Sequence, residues 1–201
     1  MKKLLILVIA VTALSMSSAS AQAVWGARVG VSKPTLTMSD EEDYKGKFGL
    51  ELGPVLYYGF KGNWYINTAA MVSFKRLSYE EDWEDEKYSE DLSLIYVDVP
   101  VYAGYVIKAG KVSFYAQAGP YAGFKVSEKW KYTEGGKTET DDEKQISVFN
   151  YGLGIMGGIN IHRFKIEVGY QKGLANIYSS EDEDDFKLKL NSIFLGVSYV
   201  F

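Results

Sequence analysis

The C-terminal stretch Asn191-Ser-Ile-Phe-Leu-Gly-Val-Ser-Tyr-Val-Phe201 decides the fold of this chain. Every second residue from Ile193 to Phe201 is aliphatic or aromatic, whereas the other face carries Ser192, Phe194, Gly196 and Ser198. Alternation with a period of two is typical of a β-strand. The mixed face is too small and polar to fill a water-soluble core. The apolar face is therefore predicted to turn outward to lipid, as in a transmembrane barrel.

Seven earlier stretches show the same alternation, with apolar residues on one face and glycine or polar residues on the other. They are 25–32, 48–60, 64–75, 95–105, 112–125, 149–161 and 164–171. Together with the C-terminal stretch they predict about eight strands. The central positions of the apolar faces carry no charged residue, as a lipid-facing surface requires, because a charge at the bilayer midplane costs roughly 2 to 4 kcal/mol. Pro54, on the outward face of the second strand, predicts a bulge or an edge-like position.

The connections between these strands alternate between short turns and long charged segments. The short turns are 61–63, 108–111 and 162–163, and the long segments are 39–44, 79–91, 127–144 and 180–185. This alternation distinguishes the periplasmic from the extracellular ends of outer-membrane barrels. The sequence predicts an all-β fold: an eight-stranded, antiparallel, up-and-down transmembrane β-barrel with short periplasmic turns and long acidic extracellular loops.

The N-terminus has the pattern of a secretory signal peptide. Lys2 and Lys3 precede an apolar run at 4–14, and small residues follow at cleavage spacing. That run is shorter than the roughly 20 residues that a membrane-anchor helix needs. We expect a signal peptide at 1–21, cleaved near 21–23, and one barrel domain at 22–201. The protein is thus expected in the outer membrane of a Gram-negative bacterium.

The composition fits a membrane barrel. Its mean hydropathy is near that of soluble proteins, which is expected when only alternate residues face lipid. The chain has 20 glycines and 16 tyrosines, which suit crowded lumen packing and membrane interfaces. Cysteine is absent from the sequence, which excludes disulfide and thiol chemistry. The net charge of −4 argues against nucleic acid as a partner.

Three segments carry a resemblance to a known family. They are Tyr96-Val-Asp-Val-Pro-Val-Tyr102, Tyr115-Ala-Gln-Ala-Gly-Pro-Tyr-Ala-Gly123 and Val168-Gly-Tyr-Gln-Lys-Gly-Leu-Ala-Asn-Ile177. In this order they resemble the outer-membrane β-barrel domain family common in Bacteroidetes, described as PorT-like and related to small porin-family barrels of the OmpX and OmpA type. The resemblance implies an eight-stranded outer-membrane barrel. It implies no particular activity.

The inward faces carry charged residues that we expect to form a lumenal polar network. Its predicted members are Arg28, Glu51, Asp98, Glu167, Lys75 and Lys125. An eight-stranded barrel is just wide enough for side chains to fill it, and buried charges must be paired. The pattern favours structural packing over a narrow path for ions, and we expect Arg28 to be the partner of Glu51.

Aromatic residues suggest three further roles. Tyr199 and Phe201 resemble the terminal signal that the barrel-assembly machinery reads. Other aromatics near the short turns fit an interfacial girdle. Trp83 and Trp130 lie in predicted extracellular loops, where membrane insertion does not require them, and are candidate partner contacts.

The sequence gives little support for catalysis or metal binding. His162 is the single histidine and lies in a predicted periplasmic turn, where we expect no pocket and no second imidazole. The acidic segments 80–86 and 180–185 could offer oxygen ligands to Ca²⁺ or Mg²⁺, and such ions could bridge to lipopolysaccharide, but the segments lack the spacing of a calcium loop. We therefore expect no enzyme, no cofactor and no metal site.

The expected function is that of an integral outer-membrane barrel with a structural or surface-interaction role. Its partners would be outer-membrane lipid and lipopolysaccharide, the barrel-assembly machinery during insertion, and an extracellular partner. Three alternatives remain open: a narrow channel for ions or small solutes, a barrel enzyme acting on lipid or peptide, and a soluble secreted barrel with an apolar ligand inside. The last requires the apolar faces to point inward.

Overall fold

The computed structural model of the protein describes residues 22–38, 45–60, 62–83, 86–134, 137–141, 146–178 and 188–201. The predicted signal peptide at 1–21 lies outside these ranges. Within them, no helix has the length and apolar character needed to cross a membrane.

The described chain is built from ten strand segments. They are β1 (Gln22–Met38), β2 (Lys45–Gly59), β3 (Trp64–Ala69), β4 (Met71–Trp83), β5 (Glu86–Ala109), β6 (Val112–Glu134), β7 (Lys137–Asp141), β8 (Phe149–Ile161), β9 (Phe164–Gly173) and β10 (Leu188–Val200). All their pairings are antiparallel.

These segments close into a ring of eight strands. Segments β3 and β4 are successive parts of one barrel strand between β2 and β5, and β7 is a short strand added to the end of β6. The ring closes where β1 pairs with β10, from Gly26 opposite Val200 to Met38 opposite Leu188. The predicted eight-stranded, antiparallel, up-and-down barrel is confirmed.

Pro54 divides β3 from β4 without a bulge. The amide of Ala70 donates to the carbonyl of Pro54 at 3.1 Å. Proline has no amide proton, so the second hydrogen bond of this pair, from Pro54 to Ala70, cannot form. The register of β2 is the same on both sides, with Leu52 opposite Val72 and Val55 opposite Ala69. The predicted bulge or edge-like position at Pro54 is therefore wrong, because a single missing hydrogen bond interrupts the ladder without shifting it.

Bulges occur nearer to the long connections. In β2 the register shifts between Lys47 and Leu50. In β6 it shifts where Ile95 and Tyr96 of β5 pair with Ser127 and Lys125. Val126 is the extra residue, so the inward face of β6 changes from odd-numbered to even-numbered positions beyond it.

Short turns join the strands at one end of the barrel, which we call the turn end, and the long connections lie at the hairpin end. Gly62 and Gly110 have φ angles of +83° and +65°, a conformation that glycine adopts without strain. His162 takes a φ of +56° in the third turn. Turns this tight are typical of the periplasmic end of an outer-membrane barrel.

Two of the predicted long loops are largely strand. Pairing of β4 with β5 continues to Trp83 opposite Glu86, through most of the predicted loop at 79–91. Likewise β6 runs to Glu134 and pairs there with β7, inside the predicted loop at 127–144. Both faces of an antiparallel hairpin can meet water beyond the membrane, so charged residues do not end the strands there. The hairpin end thus carries extended hairpins rather than irregular loops.

The outward face of the barrel is apolar, as expected. Val168 and Leu195, in the middle of β9 and β10, are 53% and 54% exposed, although both are aliphatic. Glu167, next to Val168, and Ser198, further along β10, are buried in the lumen. This orientation is the opposite of the one that a soluble carrier of an apolar ligand requires, so that alternative is wrong.

An arginine in the middle of the outward face should destabilise the barrel. We expect Val168→Arg to lower the free energy of unfolding by about 2 to 4 kcal/mol, because the charge would sit in lipid. Val148→Arg, at an exposed position just before β8 at the hairpin end, is the control and should cost about 0 to 1 kcal/mol. Equilibrium unfolding in phospholipid vesicles measures both, and equal losses would contradict a lipid-facing Val168.

Candidate functional site

Side chains fill the barrel lumen in two apolar clusters with polar residues between and beside them. We call the cluster nearer the hairpin end the outer plug. It consists of Leu36, Leu77, Leu92, Leu94, Tyr96, Trp130, Ile146, Ala175, Ile177, Leu188 and Leu190. The inner cluster consists of Val55, Tyr57, Tyr65, Ala69, Met71, Tyr102, Tyr115, Met156 and Phe194.

Glycines make room for the large residues of the lumen. A Cβ at Gly154 would lie 2.0 Å from the hydroxyl oxygen of Tyr102, and a Cβ at Gly169 would lie 2.3 Å from Cζ of Phe194. Gly169 is the direct cross-strand partner of Phe194, and Gly154 lies two strands away from Tyr102. Each ring therefore lies over the bare backbone of a glycine, which leaves space for it in the narrow lumen.

Arg28 and Glu167 form a buried ion pair in the middle of the lumen. Nε of Arg28 contacts Oε1 of Glu167, and both side chains are at most 2% exposed. The hydroxyl groups of Ser198, at 2.8 Å, and Tyr115 also donate to this carboxylate. Glu167 is thus fully engaged, as a buried charge requires.

Two further ion pairs lie toward the hairpin end. Nζ of Lys75 lies 2.9 Å from Oδ2 of Asp98 and 4.9 Å from the centre of the Tyr96 ring. Lys125 contacts Glu128, and it also donates to the carbonyl of Ile146. The bulge at Val126 brings Lys125 and Glu128 to the same inward face.

Glu51 faces the lumen but does not contact Arg28. We expected these two residues to pair, but the guanidinium of Arg28 contacts Glu167 instead. Glu51 and Asp98 line a small cavity of about 10 Å³, and Oδ1 of Asp98 has no hydrogen-bond partner among the described residues. A cavity of this size holds about one water molecule. The expected single network is therefore a set of separate ion pairs, with Glu51 outside them.

Lys165 is a lumenal cation that the predicted network left out. It is 8% exposed, and its Nζ lies 3.9 Å from the centre of the Tyr57 ring and 4.2 Å from that of Tyr115. A third ring, that of Tyr65, lies at 5.4 Å. The alternation of β9 places Lys165 inward, but the three rings come from three other strands and only the register brings them together.

The two tryptophans predicted as partner contacts lie in different environments. Trp130 is 6% exposed, packs in the outer plug and donates from Nε1 to Glu128 at 2.7 Å. Its predicted role as an exposed contact is wrong, because the bulge at Val126 turns it inward. Trp83 ends β4 at the tip of a hairpin, where its backbone pairs with Glu86. Its side chain lies outside the described part of the structure.

The terminal aromatics lie at the turn end of the barrel. The ring of Tyr199 packs edge-on against Phe164 and Phe201, with centroids 5.2 and 5.7 Å away. The amide of Phe201 donates to the carbonyl of Trp25 at 2.9 Å, and Phe201 remains 69% exposed.

A cavity of about 680 Å³ opens at the turn end, and His162 is among its lining residues. The expectation that no pocket surrounds His162 is therefore wrong. The rest of the lining comes from strand ends and turns and includes Lys165, Lys108 and Arg163. We call this cavity the vestibule.

The proposed metal ligands fall outside the described residues. Residues 180–185 are not among them, and no side chain is described at 80–86. Within the described ranges, no group of three or more histidine, aspartate or glutamate side chains is arranged to hold a metal ion.

The sequence matches the family of outer membrane protein beta-barrel domains over residues 17–179. The chain belongs to this family. The protein is therefore an outer-membrane β-barrel, and its apolar outward face lies in that membrane. No curated protein matches the sequence.

Several solved structures of outer-membrane barrels resemble this one in fold. Neisserial surface protein A is 14% identical, with a TM-score of 0.48, and the match covers 90% of this chain and 99% of that protein. Ail, the attachment invasion locus protein of Yersinia pestis, is 18% identical, with a TM-score of 0.41 and the same coverage. The N-terminal barrel domain of Pseudomonas aeruginosa OprF is 12% identical, with a TM-score of 0.31, covering 87% of this chain and 97% of that domain.

Substitutions of Glu167 and Glu51 should have different effects on the stability of the barrel. Glu167→Gln removes the charge that pairs with buried Arg28 and should lower the free energy of unfolding of this family member by about 3 to 5 kcal/mol. Glu51→Gln removes a buried carboxylate that contacts no cation directly, so we expect no loss or a gain. Urea unfolding of the two variants in detergent micelles measures both effects. An equal loss in both variants would show that Glu51 belongs to the Arg28 pair.

Proposed function

We propose that this protein is a closed, non-catalytic barrel that displays its extracellular hairpins for contact with a partner at the cell surface. The observation that carries this proposal is the filled lumen. The outer plug, the inner cluster and the buried ion pairs beside them fill the barrel. With the interior packed, the hairpins are the largest described part of the protein that is free of both lipid and core.

The charge of the hairpin end supports a cationic partner. All but three of the 26 acidic residues lie in the four sequence segments at this end, and the three exceptions are lumenal Glu51, Asp98 and Glu167. Pairing of β4 with β5 through Trp83 and Glu86 holds one of these segments away from the barrel. Clustered charge of one sign attracts partners of the opposite sign and speeds their association.

A channel function has no comparable support. The cavity beside Glu51 has room for about one water molecule, and the outer plug lies between it and the hairpin end. Catalysis likewise lacks an observation that favours it. A closed lumen predicts no discrete conductance steps from the purified protein in planar bilayers.

Shortening the β4–β5 hairpin tests the surface role. We expect replacement of residues 80–89 by Asn-Gly to leave the barrel intact, since the removed residues lie beyond the lumen, and to weaken binding to immobilised poly-lysine. A variant with the acidic residues of 80–86 changed to their amides keeps the length and isolates the charge. Surface plasmon resonance on the protein in nanodiscs measures binding, with poly-glutamate as the control surface. Undiminished binding by both variants would contradict the proposal.

We further propose that lipopolysaccharide contacts the barrel through outward-facing cations near the hairpin end. We call this set the basic belt. Its members are Lys33, Lys47, Arg76, Lys129, Lys131 and Lys172, all exposed and spread over β1, β2, β4, β6 and β9. Cations at this level suit the phosphate groups of anionic lipids.

One pair within the basic belt favours a bound anion. Lys47 and Arg76 are direct cross-strand neighbours, and like charges opposite each other destabilise a sheet. Lys47 donates to Asp91 at 2.7 Å. Partial burial acts to raise the pKa of Asp91, but the hydrogen bonds from Lys47 and Ser78 and the positive charges of Lys47 and Lys131 together outweigh it, so the pKa lies below the ordinary value. No such carboxylate contact is described for Arg76, which leaves it open to a lipid phosphate.

Neutralising the basic belt should remove a lipid-dependent stabilisation. We expect lipopolysaccharide to raise the unfolding temperature of the wild-type protein in detergent, because a ligand that binds only the folded state stabilises it. The triple variant Lys33→Gln, Arg76→Gln, Lys172→Gln should lose most of that rise. Lys111→Gln, in a turn at the opposite end, should keep it. A full rise in the triple variant would exclude the basic belt as the lipid contact.

The two ends of the chain have roles in export and assembly in this proposal. We propose that residues 1–21 direct secretion and are cleaved near 21–23, and that Tyr199 and Phe201 are read by the barrel-assembly machinery. The exposure of Phe201 at the turn end supports the second point. The three sequence segments at 96–102, 115–123 and 168–177 support a place among the PorT-like barrels of Bacteroidetes.

A further inference from the structure

We propose that the vestibule is a binding site for a small anion that carries a carboxylate or phosphate group, with Lys165 as its anchor. This site lies at the periplasmic end, opposite the hairpins. The proposal depends on the alignment of cations across neighbouring strands, the lack of a carboxylate for Lys165, and the size of the cavity.

A continuous row of polar side chains connects the mouth of the vestibule with the lumen. Direct cross-strand pairs join Lys108 to Ser113, Ser113 to Asn160, and Asn160 to Lys165. Ser198 then continues the row from Lys165 to Arg28. Because barrel strands are tilted, such a row rises along the wall from exposed Lys108 to buried Arg28. The row contains three cations and no acid.

Lys165 has no anionic partner in the described structure. The carboxylate of Glu167, two residues away, is occupied by Arg28, Ser198 and Tyr115. The tyrosine rings around Lys165 stabilise its positive charge. They do not replace the oxygen acceptors that its three N–H groups need for hydrogen bonds. A buried ammonium without an acceptor is unfavourable, so a bound anion would supply what the protein does not.

Asn160 provides a second unsatisfied group in the same cavity. Its side-chain Oδ1 is buried and has no hydrogen-bond partner among the described residues. Asn160 lies directly opposite Lys165 on the inward face and lines the vestibule with it. An amide in this position can turn its nitrogen to donate to an anion.

The side chains that line the vestibule include cations but no acidic residue. The sequence segments that form the turn end, 52–79, 99–127 and 144–166, contain no aspartate or glutamate. Lys108, His162 and Arg163 line the mouth of the vestibule. A concave site with charge of one sign raises the local concentration of ions of the other sign.

The size and lining of the vestibule suit a small molecule. Its volume of about 680 Å³ lies within the range of ligand pockets, roughly 300 to 1,000 Å³. Tyr57 and Tyr65 border it beside Lys165 and offer an apolar surface to the rest of the ligand. The fitting class is an organic carboxylate or phosphate with an apolar portion.

Calorimetric titration of the full chain in phosphatidylcholine nanodiscs tests this site. The probes are benzoate and inorganic phosphate, and benzyl alcohol is the neutral control. We expect saturable binding of at least one anion, no binding of benzyl alcohol, and about tenfold or greater weakening by Lys165→Met, because a charged hydrogen bond is lost. Absence of anion binding to the wild-type protein would overturn the proposal.

Matched variants separate anion binding from folding. Asn160→Asp places a carboxylate opposite Lys165 and should abolish binding while raising the unfolding temperature, which shows that the barrel is intact. Lys111→Met removes a cation from the same end but not from the lining and should bind like the wild type. Retained binding by both Lys165→Met and Asn160→Asp would overturn the assignment of the site.

The anion could be a free solute or a lipid headgroup, and the bilayer composition distinguishes them. Adding phosphatidylglycerol to the nanodiscs should compete with benzoate if a headgroup enters the vestibule. Unchanged benzoate affinity would identify a free periplasmic anion as the occupant. Either result supports the anion site and assigns its source.

Discussion

The closure of β1 on β10 is the constraint on which the rest of the structure depends. In lipid an unpaired backbone N–H or C=O group costs several kcal/mol, so a sheet can cross the membrane only when no edge remains. The pairs from Gly26 with Val200 to Met38 with Leu188 remove that edge. Once the ring is closed, every second side chain must face lipid, and polar residues within the membrane can lie only in the lumen. The ion pairs inside the barrel and the aliphatic belt outside it are two consequences of one closure.

Eight strands leave a narrow interior, and that narrowness explains how the lumen is composed. The rings of Tyr102 and Phe194 fit inside it because glycine lies beneath them on nearby strands, at Gly154 and Gly169. Buried charges then have few water molecules to solvate them and depend on each other, as Arg28 and Glu167 do. A lumen packed in this way stabilises the barrel but leaves little space for transport. The two ends are therefore the parts of the barrel where other molecules outside the lipid can make contact.

Much of the fold could be predicted from the sequence because period-two alternation reports directly on which face meets lipid. The eight strands, their direction and the inward position of all six predicted charges follow from that pattern. The partners of those charges do not, because pairing depends on register between strands distant in sequence. Thus Arg28 contacts Glu167 rather than Glu51. A single extra residue, Val126, reverses the alternation of β6. Period-two alternation alone therefore does not predict that Glu128 and Trp130 face inward. The alternation pattern does not predict the extended hairpins either, because charged strands beyond the membrane do not need an apolar face.

The two ends of the barrel differ in charge, and this difference follows from how few acids the membrane-spanning part contains. Among the acids on the inward face, Asp98 and Glu167 are in direct ion pairs with Lys75 and Arg28. Lys125 is neutralised by Glu128 beyond the bulge. Glu51 alone has no cation in contact, and it faces the small central cavity, whereas Lys165 lies among tyrosines beside the vestibule. A protein that needed Lys165 only for packing could satisfy it with an acid at position 160, directly across the strand pair. The amide found there leaves the positive charge facing the vestibule, which is the arrangement that an anion site requires.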